Sequence, residues 1–211
     1  MKVAIITADI VQSTAILPDA KQELYAAIAA MLEEISRLYT TKSEWYRGDS
    51  FQVQASAKDA ARIALLIKTG IRGIDKSKGA RGTKVHDVRL AAGIGTIDYI
   101  QETLAQSDGE AFRLSGRMLD QLKSLKQTFS FTTADSHNAA LAIESQLLDA
   151  LLAGTTATQC RVLYQKMMGL KEEEIAKKIV VSQSAINQHS NAAHWNVLSN
   201  YLDYFETLYH E

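Results

Sequence analysis

The chain has 211 residues, 46% of them hydrophobic and 22% charged, which are the values of a globular protein and a length that suggests one full domain plus a smaller one. Its formal net charge is −1, with 18 basic against 18 acidic residues in 1–150 and 5 against 6 in 151–211, so neither part has the basic excess that by itself announces nucleic-acid binding. No apolar run approaches the roughly 18 residues of a membrane helix, Asp9 interrupts the first apolar stretch before any signal-peptide cleavage site, and the single cysteine, Cys160, admits no intrachain disulfide, so a reducing, cytoplasmic setting is expected.

In chain order, residues 3–6 are a short apolar, partly β-branched run that predicts a buried strand ended by Asp9. Pro18 and Asp19 open a helix in which Leu24, Ala27, Ile28, Met31, Leu32, Ile35 and Leu38 recur at three- and four-residue steps. Residues 43–46 and 51–55 flank Arg47-Gly48-Asp49-Ser50 and predict a β-hairpin. Residues 60–74 are helical by pattern. Between Lys68 and Lys84, the residues Lys68, Arg72, Lys76, Lys78, Arg81 and Lys84 stand against Asp75 alone, and Gly79 and Gly82 make this a flexible basic loop. Residues 85–97 alternate as a strand, with Gly93 and Gly95 where another backbone or a ligand approaches closely. A third helix over 108–125 and a last strand over 128–133 complete the order β-α-β-β-α-β. That order predicts an α/β (α+β) split-βαβ, ferredoxin-like sheet with helices over one face.

Residues 138–152 form a helix that ends near Gly154. The organisation expected is an α/β domain over 1–136, a connecting helix over 137–154 and a small all-α helix-turn-helix domain over 155–211. Here Val162, Leu163 and Met167 mark one helix, stopped by Gly169 in the left-handed conformation that caps helices. Glu172, Glu173 and Glu174 suit the positive end of the next helix, and Ser182 caps a third with Ala185 and Ile186 turned inward. Glu174-Ile175-Ala176, Ile179, Val181-Ser182, Ala185-Ile186 and His189 resemble the helix-turn-helix of response-regulator and sigma-factor DNA-binding domains. The resemblance implies DNA as a partner. Ser182, Gln183, Ser184, Asn187 and Gln188 would be the outward, base-reading positions, and Lys177 and Lys178 would supply phosphate contacts. The recognition helix itself has no Lys or Arg, a departure from the usual dominance of phosphate contacts. On the final helix Trp195, Leu198, Leu202, Phe205 and Leu208 form a stripe that serves as core or as the seam of a homodimer.

Asp9 at a strand end and Asp49 in the hairpin turn converge at one edge of such a sheet. Paired carboxylates are a hard-oxygen site suited to Mg²⁺, with substrate phosphates as further ligands. Arg113 and Arg117, four apart on one helix, are placed to neutralise a phosphate of a nucleotide or other ligand. Asp9-Ile10-Val11-Gln12-Ser13-Thr14, Gly48-Asp49, Arg89 with Gly93-Ile94-Gly95, and Gly109 with Arg117 resemble a degenerate class III nucleotide cyclase domain. Gly48-Asp49-Ser50-Phe51-Gln52 and Asp108-Gly109-Glu110-Ala111-Phe112, with Ala8-Asp9-Ile10-Val11, resemble the SatD family over nearly the whole chain. Against the cyclase pattern, Trp45 stands where the resemblance implies a purine-selecting lysine, and Arg113 where it implies an asparagine. No HExxH, P-loop or Gly-x-Ser-x-Gly motif occurs, and His189 and His194 are five apart, so zinc is not expected. The sequence alone therefore favours a DNA-binding regulator with a cyclase-like sensor or dimerisation domain. A Mg²⁺-dependent nucleotide-binding or cyclase-type enzyme is the first alternative, and a protein-interaction adaptor the second.

Overall fold

The computed structural model of the chain describes residues 2–74 and 85–209, apart from the Arg47 side chain. Strands β1 (Val3–Ile10), β2 (Lys42–Arg47), β3 (Ser50–Ser56), β4 (Val88–Gly95) and β5 (Phe129–Thr133) form one sheet in the order β2-β3-β1-β4-β5. β1 runs antiparallel to β3 and β4, its neighbours on either side, while β4 and β5 run parallel.

Alternation along the strands decides what each face of the sheet carries. Ala4, Ile6, Ala8 and Ile10 of β1 join Phe51, Val53, Leu90 and Ala92 in the main core, together with helices α1 (Pro18–Leu38) and α2 (Ala60–Gly73). Thr7 points the other way, and its hydroxyl donates to that of Ser115 on helix α3 (Glu110–Ser124) at 2.9 Å. The helices therefore cover both faces, not one as the element order suggested. Gly93 makes this possible. A Cβ on it would stand 2.3 Å from the Ala111 carbonyl oxygen and 2.5 Å from the Ser115 nitrogen, so α3 lies against bare backbone.

Helix α4 (Asn138–Ala153) closes the β5 edge with polar side chains. The N–H groups of Thr128, Phe131 and Thr133 donate to Asp149, Ser145 and Asn138 at 2.8, 2.8 and 2.9 Å. An edge strand so paired offers no template to another chain.

Four more helices follow, α5 (Ala157–Met167), α6 (Glu172–Ile179), α7 (Gln183–Ala192) and α8 (Trp195–Leu208). The packing does not set them apart as a separate helix-turn-helix domain. Leu163, Tyr164 and Met167 of α5 and Leu198, Leu202 and Phe205 of α8 belong to the same core as the sheet. The rings of Phe205 and Phe131 stand 5.1 Å apart, and Arg62 pairs with Glu206 at 2.6 Å. Leu198, Leu202 and Phe205 of the α8 stripe are thus core and not available as a dimer seam, while Leu208 is 36% exposed. Only Val162, Ile175, Ala176 and Ile186 make a small second core, between α5, α6 and α7. Gly169 has φ 88°, the left-handed stop its position predicts, and the α6–α7 turn is made by Val180 at φ 58°.

The expected basic loop divides differently. Lys68 and Arg72 belong to α2 and are 1% and 5% exposed; Lys76, Lys78, Arg81 and Lys84 lie outside the described residues. Lys68 Nζ donates to Asp87 at 2.6 Å, to the Val88 carbonyl at 2.8 Å and to Thr128 at 2.7 Å. Arg72 donates to Asp87 at 2.9 Å and to the Thr155 carbonyl at 3.1 Å. Burial pulls the Lys68 ammonium below its ordinary pKa, against the opposing pull of Asp87. No described helix is long and apolar enough to cross a membrane.

Candidate functional site

Strand β1 does not stop at Asp9. Paired on both sides, it continues to Ile10, and Asp9 faces Ser50 on one neighbour and Arg89 on the other. The Ile10 N–H donates to the Asp49 carbonyl at 3.0 Å, which fixes the hairpin turn beside the strand. Gln12 then adopts a left-handed conformation, φ 56°, and turns the chain into a short 3-10 segment, Ser13–Ala15.

These local choices bring the two carboxylates together. The Ser50 hydroxyl lies 3.4 Å from Asp9 Oδ1 and 3.4 Å from Asp49 Oδ1. The hydroxyl of Ser13, a buried residue, donates to Asp49 Oδ2. Arg89 Nη1 stands 3.5 Å from Asp9 Oδ2. Burial first, and Asp49 second, raise the Asp9 carboxyl above the ordinary carboxylate range; Arg89, Ser50 and Lys123 pull the other way without cancelling them. A hydroxyl has one proton to give, so Ser50 satisfies only one of its two carboxylate neighbours at a time.

Two convergent carboxylates beside hydroxyls fit a hard divalent cation that completes its shell with water and phosphate oxygens. Among the described residues no group of three or more His, Cys, Asp or Glu side chains is placed to hold a metal, so the protein's share of such a shell would be Asp9 and Asp49.

Arg113, expected to complete the site, does not join it. Arg113 donates to Asp98 and Asp108, each at 2.8 Å, near the start of α3, which lies by Gly95 at the far end of β4 from Arg89. Arg117 is exposed on the same helix, one turn further on. The cations that act on Asp9 are Arg89 and Lys123. Arg89 was legible as a cross-strand partner once the register was known. Ser13 and Ser50 lie inside the motifs that carry the resemblances, with no role of their own read from them, and nothing in the sequence marked Lys123.

Trp45 packs its ring between Tyr25 and Phe51, with centroids 5.0 and 4.9 Å away, on the α1 side of the sheet. It is a partly buried aromatic packed against the core.

In the α6–α7 segment, Ser182 caps α7 by accepting from the Ala185 N–H at 3.2 Å. Gln183, Ser184, Asn187 and Gln188 are exposed, and Asn187 accepts from Asn191 at 3.0 Å. Lys177 is paired with Glu173 at 2.8 Å, and its hydrogen bond holds that carboxyl below the ordinary range. Lys178 donates to Gln165 at 2.9 Å and stands 3.6 Å from Glu34. Both lysines read as phosphate contacts are thus balanced within the chain.

No family model and no curated protein matches the chain. Solved structures do. The chain is similar to a bacterial light-regulated adenylyl cyclase at 18% identity, over 62% of this chain and 75% of that one, with a TM-score of 0.44. It is similar to the GGEEF domain of a diguanylate cyclase from Vibrio cholerae at 12% identity, over 64% and 85% of the two chains, with a TM-score of 0.44. A dimeric guanylyl cyclase domain from the fungus Blastocladiella emersonii gives 16% identity over 56% and 73%, with a TM-score of 0.43. All three are nucleotide cyclase or diguanylate cyclase proteins.

Proposed function

We propose that the chain binds a divalent cation, Mg²⁺ being the fitting ion, between Asp9 and Asp49, and with it the phosphates of a nucleotide-class ligand. One observation carries this reading: two carboxylates approach a single serine hydroxyl, and one of them is held above its ordinary pKa by burial and by the other. A cation relieves that repulsion and supplies positive charge to a phosphate. The chain's own part is to hold the two carboxylates at one edge, orient them through Ser13 and Ser50, and balance Asp9 with Arg89. The enzyme form of the reading is a cyclase-type reaction on the bound nucleotide. Trp45 and Arg113 are committed elsewhere, so the residues support binding and not base selection.

Calorimetric titration with Mg²⁺, alone and with ATP or GTP, tests it. Saturable binding that disappears in the Asp9→Asn, Asp49→Asn variant is the expected result. Heat that is the same in the variant and the native chain removes the reading.

A DNA-contacting output is the second reading, favoured by the Ser182-capped α7 with its neutral polar outer face. Selection of bound fragments from a random duplex pool tests it, and the absence of an enriched motif leaves α7 as a protein-facing or structural helix. Self-association belongs to the first reading. The inner stripe of α8 is filled by the chain's own core, and the apolar residues left outside include Ile143 and Leu147 on α4, 56% and 67% exposed. Sedimentation at micromolar concentration decides between monomer and dimer.

A further inference from the structure

At the end of the sheet away from Asp9, the first residues of β1, the end of β3 and the last turn of α8 line an open cavity of about 870 Å³. Sites that take small organic ligands fall in this size range. Val3, in its lining, pairs with Ser56 and Gly95, whereas Asp9 pairs with Ser50 and Arg89. Six residue steps along β1, roughly 20 Å, separate the two places.

The charge of this cavity is unbalanced. Its carboxylate, Asp135, is fully engaged: Lys2 Nζ donates to both oxygens, at 2.5 and 2.6 Å, and the Thr133 hydroxyl adds a third bond at 2.9 Å. These bonds, that from Lys2 foremost, hold the Asp135 carboxyl below the ordinary range. Two further lysines of the lining, Lys42 and Lys58, make no ion pair among the described residues. Lys42 donates to the neutral backbone carbonyl of Glu102 at 2.6 Å, and Lys58 is exposed at the turn into α2 and has no ion pair among the described residues.

The wall made by the C-terminal part is aromatic and polar. The Tyr209 hydroxyl and His137 Nε2 are 2.7 Å apart. Burial pushes the Tyr209 phenol up to about 12, so it stays protonated at neutral pH and keeps a hydrogen to share with the imidazole. Val3, Ala55, Ala57 and Leu208 give the cavity an apolar floor. Two uncompensated cations, a hydrogen-bonding aromatic wall and an apolar floor complement a dianionic head on a compact, partly apolar body. A monocarboxylate leaves one ammonium unmatched, and inorganic phosphate leaves the floor unfilled. We propose that this cavity binds a small organic phosphate monoester as a second ligand, independent of the Asp9–Asp49 site.

The probe is phenyl phosphate, titrated into the full chain at physiological salt, with inorganic phosphate and phenol as controls. Phenyl phosphate is expected to saturate, binding about tenfold more tightly than either control, a gain of about 1.4 kcal/mol. The Lys42→Gln, Lys58→Gln variant is expected to weaken it by about tenfold. Both residues are exposed, and an unchanged melting temperature confirms that the variant is folded. The Asp9→Asn, Asp49→Asn variant is expected to bind phenyl phosphate as the native chain does. The proposal is overturned if phenyl phosphate fails to saturate at millimolar concentration, if the lysine variant binds it undiminished, or if binding is lost with the aspartates instead.

Discussion

The backbone N–H of Val11 donates to the carbonyl of Asp87 at 2.9 Å, so the segment leaving the Asp9 strand rests on the residue whose carboxylate pairs with two buried cations. Asp87 carries Lys68 and Arg72 at once, and both are almost wholly enclosed. Asp87→Asn strands two charges in the interior, and removing one partner of a buried pair costs about 3 kcal/mol or more. The urea midpoint should fall accordingly. A loss below about 1 kcal/mol, the scale of a solvent-screened surface pair, shows that water already neutralises the cluster.

For Asp9 the sign of the pH effect follows from the direction of its pKa. Its carboxyl is raised in the folded chain, chiefly by burial and then by Asp49. The folded state therefore holds that proton more tightly than the unfolded state does. The ionised group opposes folding at neutral pH, and this opposition fades as pH falls through the raised value toward the ordinary carboxylate range. Asp9→Asn should raise the melting temperature at neutral pH and leave it nearly unchanged in acid. A bound cation removes the same penalty: at ten times its Kd, Mg²⁺ should add about 1.4 kcal/mol to the native chain and nothing to the variant. Equal melting curves for native chain and variant at every pH rule out the repulsion.

Val180 makes the α6–α7 turn with φ 58° and is 87% exposed. A β-branched residue in the left-handed region is a backbone outlier, costing roughly 1–2 kcal/mol, and so exposed a side chain has little packing to lose. Val180→Gly should stabilise the chain by about 1 kcal/mol, part of the relief being offset by the entropy of glycine in the unfolded state. Thermal melting checks this. A destabilised glycine variant shows that the valine makes a contact worth more than its strain.

Much of the fold is written locally in the sequence. The α1 stripe from Leu24 to Ile35, the Gly48-Asp49 hairpin and the Gly169 stop depend on neighbours within a turn or two, and the elements form where those patterns place them. The edge that joins Asp9 to Asp49 followed from pairing β1 with β3. What escaped depends on packing between distant residues. No periodicity says that α3 lies on the second face of the sheet, since that rests on the missing Cβ of Gly93 meeting Ala111 and Ser115. Arg113 looked like a phosphate ligand because its helical spacing to Arg117 was visible, whereas Asp98 and Asp108, which hold it, approach through a loop. Lys68 and Arg72 read as a solvated basic run because Asp87, their partner, lies 19 and 15 residues further along the sequence.

The α8 stripe yields a test that separates core from seam. Leu202 is 1% exposed and Phe205 is wholly enclosed within one chain. Phe205→Ala should cost about 3–5 kcal/mol and shift the whole unfolding transition, because its ring packs on Phe131 of β5. Leu202→Asp should unfold the chain and not yield a folded monomer. A folded, monomeric Leu202→Asp protein by sedimentation and circular dichroism contradicts the placement.

The contact between Phe131 and Phe205 also bears on the order in which the molecule is made. A sheet whose last core residue arrives some seventy positions after its last strand is unfinished while that stretch is still being synthesised. The N-terminal part leaves the ribosome with the apolar seat of α8 bare, at a synthesis rate of roughly 5–20 residues per second. For those seconds the growing chain presents a surface that a chaperone or another copy can occupy.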